Sequence, residues 1–159
     1  MNHSQILPRL FVGSCPATTE DINHLKADLG ITAILNLQTD QDLDYWDLDW
    51  PRLESHCREL GIAVRRVPIR DFDAEDLRRH LPGCVEILDE LLQAGQTVYI
   101  HCNIGSGRSP SVAIAYLFLK QHRGLDESME QVTRCRSCSP NIEAIITSGD
   151  TVAGVYEDY

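Results

Sequence analysis

The chain has 159 residues, 43% of them hydrophobic and 24% charged, the make-up of one soluble globular domain with a real core. Its formal net charge of −10 makes it a poor general binder of nucleic acid or anionic membrane. Its longest apolar run, Val112 to Leu119, is far too short to span a bilayer.

In chain order, Met1 to Leu10 lacks a basic region followed by an apolar one, so no secretory signal is read there and a cytoplasmic location is expected. Leu10 to Val12 reads as a short strand ended by Gly13. Thr18 or Thr19 caps a helix over Glu20 to Leu29, with Ile22, Leu25 and Leu29 on one face and Gly30 closing it. Ile31 to Leu37 is a buried strand, and Gln38 to Asp49 a polar loop carrying Tyr45 and Trp46. Pro51 opens a helix that stops at Gly61. Ile62 to Ile69 is a strand and Asp71 to Asp76 an acidic loop. A helix follows with Leu77, Leu81, Val85, Leu88 and Leu92 on one stripe; Pro82 is expected in its first turn, because proline disrupts a helix interior. Thr97 to His101 is a buried strand, Cys102 to Gly107 a loop, and Arg108 to Arg123 a helix with Pro110 in its first turn. Asp126 is expected to cap the next helix, and a last helix begins between Pro140 and Thr147. The tail after Gly149 carries no strong signal. Strands alternating with helices place residues 1 to 159 in a single α/β domain with a central, mostly parallel sheet flanked by helices.

The six cysteines are expected to be thiols. Cys57 and Cys84 fall on partly apolar helical stretches and read as buried structural thiols. Cys135 and Cys138 form a lone C-x-x-C with no second ligand pair, so no metal is expected.

The chemistry concentrates in His101-Cys102-Asn103-Ile104-Gly105-Ser106-Gly107-Arg108-Ser109. A cysteine ends a strand and an arginine opens a helix six positions later. So short a loop must curl with its N–H groups inward, making an anion nest. Gly105 and Gly107 are expected to supply positive φ angles, and the helix start adds its positive dipole end. Arg108 can hold two phosphate oxygens in a bidentate fork. A free thiol titrates near 8.5, so about 3% is thiolate at neutral pH; a nest around Cys102 is expected to raise that fraction. Ser109 can stabilise the thiolate as it leaves, and His101 can orient the loop. Two glycines at fixed positions alone cut chance matches roughly two-hundredfold. A tight βα turn with a buried thiol is the plain structural alternative.

The string His101-Cys-x-x-Gly-x-x-Arg-Ser109 resembles the signature of the cysteine-dependent protein tyrosine phosphatases, and the short chain their dual-specificity branch. The resemblance implies a phosphocysteine intermediate, no metal or other cofactor, and a general acid from a separate loop. Asp71, just past a strand end, is the favoured acid; Asp73 is the rival, with helix capping as its structural role. Further blocks, Leu10 to Cys15, Glu20 to Leu25, Ile34 to Gln38, Asp42 to Trp46, Arg70 to Asp73 and Ser137 to Asn141, resemble plant starch-excess-type glucan phosphatases. That family implies removal of phosphate from a starch- or glycogen-like glucan, with Tyr45, Trp46 and Phe72 as an aromatic wall beside the nest. The chain departs from it at Asn103-Ile104, where relatives usually carry a small pair ending in alanine, at Ser109, often alanine, and at Ser139, aromatic in some members. A phosphoprotein is the alternative substrate. A phospholipid head group fits the net charge poorly, and an inactive binding module fits poorly with Cys102, Arg108 and Asp71 all present. A monomer is expected.

Overall fold

The computed structural model describes the backbone of residues 1–157 and the side chains of residues 1–149. Its elements run β1 (His3–Leu7), β2 (Leu10–Gly13), α1 (Thr19–Leu29), β3 (Ala33–Asn36), α2 (Asp40–Tyr45), α3 (Trp50–Glu59), β4 (Ala63–Arg66), α4 (Ala74–Gln93), β5 (Val98–His101), α5 (Arg108–Leu119), α6 (Leu125–Cys135) and α7 (Ile142–Glu157). The sheet order is β1-β2-β5-β3-β4. β1 pairs antiparallel with β2, and the other pairings are parallel.

Every residue of β2, β3 and β5 is buried, because helices cover both faces of the sheet. Strand side chains alternate between the two faces. Leu10, Val12, Ala33, Leu35, Val98 and Ile100 join one core with Leu81, Val85 and Leu88 of α4 and the apolar run of α5. Phe11, Ile34 and Tyr99 join a second core with Ile22 and Leu25 of α1 and Leu53 and Cys57 of α3. Burying one such aliphatic side chain stabilises the fold by roughly 1.5–3 kcal/mol. Cys57 and Cys84 are fully buried, and that burial pushes their thiols up to about 11 and about 12.

Thr18, not Thr19, caps α1, in a reciprocal capping box with Asp21. Several local features differ from the sequence expectation. β1 was not anticipated: its burial is irregular and its pairing with β2 is broken by a register shift between Gln5 and Leu7. The segment read as a polar loop contains α2, started by a capping box between Thr39 and Asp42. Pro82 lies inside α4, because that helix starts earlier, at Asp73, whose carboxylate accepts from Asp76 N at 2.9 Å. Gly124, not Asp126, stands at the start of α6. α5 ends at Leu119, and His122 takes a positive φ of 54° before α6 begins. α7 continues to Glu157 through the tail left without an element, and Asp158 and Tyr159 lie outside the described residues.

The carboxyl ends of β2, β3 and β5 lie side by side, with Gly13 and Asn36 each paired to His101. A ligand site is expected at this edge of a parallel sheet.

Candidate active site

The loop from Cys102 to Gly107 joins β5 to α5. Each of its central carbonyls is bonded to a group outside the loop. Cys15 N donates to Asn103 O at 2.9 Å, Arg136 Nη2 to Ile104 O at 3.0 Å and Arg136 Nε to Gly105 O at 2.6 Å. Ser139 N donates to Ser106 O at 2.8 Å, and Ser111 Oγ to Gly107 O at 2.7 Å. A run of carbonyls held outward leaves the loop N–H groups to face the other way, the arrangement of an anion nest. Gly105 supplies the positive φ, 75°, and a side chain there would meet Arg136 and the Gly13 backbone. Gly107, expected to share that role, has φ −112° and serves as the N-cap of α5.

Arg108 is 3% exposed. Its Nη1 donates to Ile69 O and to Asp42 Oδ2, both at 2.7 Å. Its Nε and Nη2 are buried without a hydrogen-bond partner among the described residues. Those two N–H groups form one edge of the guanidinium, the edge that grips two oxygens of a phosphate. Asp42 is itself well supported, with Asn103 Nδ2 donating to Oδ1 at 3.0 Å and Thr39 N to Oδ2 at 2.9 Å. Burial acts to raise its carboxyl, but the bonds from Arg108, Asn103 and Thr39 outweigh that and hold it below the usual carboxylate range.

Cys102 Sγ lies 3.3 Å from Ser109 Oγ. His101 is wholly buried, with Nδ1 3.2 Å from Cys102 O. Burial first, then the charge of Arg108, push its ring down to about 4 despite the bond to Cys102, so it is neutral near pH 7. The other buried polar atoms without partners, Asn36 Nδ2, Gln38 Oε1 and His101 Nε2, belong to the same neighbourhood at the strand ends. Unsatisfied polarity inside a fold collects where function needs it.

A cleft of about 330 Å³ opens over the nest, lined by residues of two loops, Arg70 to Ala74 in one and Cys102 to Ile104 and Ser106 to Arg108 in the other, together with Leu77, Ser139 and Asn141. Asp71 is one-third exposed, with Oδ2 3.4 Å from Arg108 Nη2. Asp73 also lines the cleft, but its carboxylate is engaged as the N-cap of α4. Phe72, between them, has φ 58° and is fully exposed. The structure therefore brings Cys102, Arg108, Asp71 and Phe72 to one cleft.

Tyr45 and Trp46 are not part of that cleft. They are exposed, at 80% and 44%, and pack edge to face with ring centres 5.4 Å apart at the end of α2. What read as a polar loop is thus a helix, α2, that carries the two rings at its end and is anchored by Asp42. Trp50 is the buried tryptophan of this region.

Three contributors were missed: Asp42, Gln38, whose Nε2 donates to Asn103 Oδ1 at 2.9 Å, and Arg136. The T-x-x-D of Thr39 to Asp42 was a signal for a helix start. Arg136 and Gln38 act through long-range contacts that no local pattern announces. Cys135 is exposed, Cys138 half-buried, and among the described residues no three metal-ligating side chains cluster.

The family "Dual specificity phosphatase, catalytic domain" matches residues 10–147. The chain is 36% identical to Phosphoglucan phosphatase LSF1, chloroplastic, of Arabidopsis thaliana, over 91% of its own length and 24% of that protein. It is 38% identical to Phosphoglucan phosphatase DSP4, amyloplastic, of Castanea sativa, over 91% of its length and 39% of that protein. The chain thus spans about a quarter of one of these relatives and about two-fifths of the other. The crystal structure of PTPMT1 superposes with a TM-score of 0.80, covering 99% of this chain and all of that one at 17% identity, a likeness of fold.

Proposed function

The chain belongs to the dual specificity phosphatase family, and on that premise we propose that it hydrolyses phosphate monoesters through a phosphocysteine intermediate, with a phosphorylated starch- or glycogen-like glucan as substrate. The observation that carries the chemistry is the buried Nε and Nη2 edge of Arg108, which makes no hydrogen bond among the described residues and has only the ion-pair contact of Nη2 with Asp71, beside the Cys102 nest. The phosphate seats its oxygens on the loop N–H groups and on that edge. Cys102 Sγ attacks phosphorus, and the bond from phosphorus to the ester oxygen breaks. Asp71 gives that oxygen its proton, since a sugar alkoxide is a poor leaving group. The resulting Asp71 carboxylate takes a proton from water as the water attacks the phosphocysteine. The sulfur leaves as a thiolate, 3.3 Å from the hydroxyl of Ser109, and inorganic phosphate is released. Asp42 and the Ile69 carbonyl hold Arg108 in place throughout.

Three features support the glucan. The relatives named above are phosphoglucan phosphatases. Exposed aromatic rings offer large contact area to flat sugar faces at low entropy cost. A glucan with sparse phosphate is mostly neutral and is little repelled by a chain of net charge −10. The test is release of inorganic phosphate from solubilised phosphoglucan, set against a phosphopeptide, by the wild-type chain and by Cys102→Ser. Wild type should prefer the glucan, and Cys102→Ser should retain less than about 1% of activity, because an alcohol cannot replace the thiolate. A preference for the peptide would make a phosphoprotein the substrate. Retention of a tenth of the activity by Cys102→Ser would remove Cys102 as nucleophile.

A further inference from the structure

Ile104 stands where an apolar side chain has no structural reason to be. It is a phosphate-loop residue, yet 60% exposed. Its backbone is fixed on both sides, by Cys15 N on Asn103 O at 2.9 Å and by Arg136 on the carbonyls of Ile104 and Gly105. Branching at Cβ restricts χ1 of Ile104 on this fixed backbone. Six large hydrophobic side chains are exposed among the described residues, and two of them, Phe72 and Ile104, line the catalytic cleft. They come from different loops, one carrying the acid and the other the nest. Phe72 is exposed over its whole surface, so it does not pack against Ile104 and the space between them is open.

We propose that Ile104 is a specificity-determining residue that works with Phe72 as a two-sided apolar grip on the ring bearing the phosphate. The site then favours esters carried on a ring, a pyranose or an aryl group, over esters on an acyclic carbon. This rests on the phosphatase chemistry proposed above but not on the identity of the natural polymer. The sugar or aryl ring enters between the two side chains, and its apolar faces leave water on both sides as the phosphate reaches Arg108. An acyclic ester such as O-phosphoserine offers no such faces. Ile104 thus adds a second contact to the one that Phe72 supplies.

The experiment compares kcat/KM for phosphoglucan, para-nitrophenyl phosphate and O-phosphoserine in wild type, Ile104→Ala and Ile104→Thr. Removing three carbons from a partly covered side chain should lower the ratio of ring to acyclic activity about five- to tenfold in Ile104→Ala. The change should fall mainly on KM, because the grip binds the ring before and during the reaction alike. Ile104→Thr keeps the branched shape and loses one apolar face, so its ratio should lie between the two. A ratio within twofold of wild type in Ile104→Ala, or equal losses on ring and acyclic esters, overturns the proposal. If wild type cleaves the aryl ester but not phosphoglucan, the glucan reading fails, and the aryl to phosphoserine ratio still decides the role of Ile104.

Discussion

Asp71 and Asp73 are two positions apart in one loop, and their surroundings separate their roles. Asp73 accepts the Asp76 N–H and starts α4, whereas Asp71 points one oxygen toward Arg108 at 3.4 Å. Asp71→Asn should lower turnover of an alkyl or sugar phosphate by about a hundredfold or more, and of an aryl phosphate by less than tenfold, since an aryl oxygen leaves with little help. Asp73→Asn keeps a capping oxygen and should lose little on either; steady-state rates on the two substrates would reverse the assignment if the patterns were exchanged. His101 gives a pH signature at the same scale. Its folded value of about 4 lies below the unfolded value near 6.5, so between those limits the unfolded chain takes up a proton that the fold refuses. Its contribution to stability is therefore present above pH 6.5 and is lost as pH falls through 4. Urea titrations should show this residue removing about 2 kcal/mol between pH 7 and pH 5. The difference should vanish in His101→Asn, and an unchanged slope in that variant would assign the effect to other groups.

At the scale of elements, the nest is a product of its neighbours more than of its own sequence. Five carbonyls are turned outward by groups from the loop after β2, from α5 and from the segment around α6 and Ser139. Arg136 is central, since its guanidinium also reaches Asn2 and Ser4 at the start of the chain and so ties β1 to the phosphate loop. Within the loop itself, Gly105 is a crowded position. A Cβ there would lie 2.6 Å from the Gly13 carbonyl carbon, on a backbone with φ 75°. Gly105→Ala should lose about 1–3 kcal/mol of stability by chemical denaturation and most of its phosphatase activity. Gly107 has no such constraint, with only Ser139 O near its Cβ position at 3.9 Å, and Gly107→Ala should stay within about 1 kcal/mol of wild type. Equal destabilisation by the two alanines would mean that the crowding at Gly105 is readily relaxed.

For the whole molecule, the division between cleft and surface decides how a polymer could be held. In the proposed reaction the phosphate enters the cleft lined by Phe72 and Ile104, while Tyr45 and Trp46 form an exposed pair at the end of α2. Asp42, on the same short helix, grips Arg108, so the aromatic pair is held in a fixed relation to the reacting centre. A long glucan can occupy both places, and a small aryl phosphate only the first. Trp46→Ala should therefore reduce phosphate release from phosphoglucan by about five- to thirtyfold, the worth of one aromatic stacking contact. Hydrolysis of para-nitrophenyl phosphate should stay within twofold. Equal losses on both substrates would make Trp46 a support for α2 instead of a sugar contact.

The amino-acid sequence by itself determined the α/β alternation, the buried strands, and the placing of Cys102 at a strand end and Arg108 at a helix start. Each of these is local. Apolar periodicity sets which face of an element is buried, and a loop six residues long can only curl between a strand and a helix that are both fixed. The same locality made Asp73 readable as a cap and the resemblance to dual-specificity phosphatases readable from one signature. Tertiary structure alone decided that Asp42 would hold Arg108 across 66 positions, that Arg136 would brace a loop 31 positions earlier, and that Phe72 and Ile104 would line one cleft. Those contacts depend on where parallel strands bring their ends together, and side chains that meet only there leave no periodic trace along the chain. β1 escaped for a related reason: its pairing with β2 fixes it, and its own five residues carry no regular alternation.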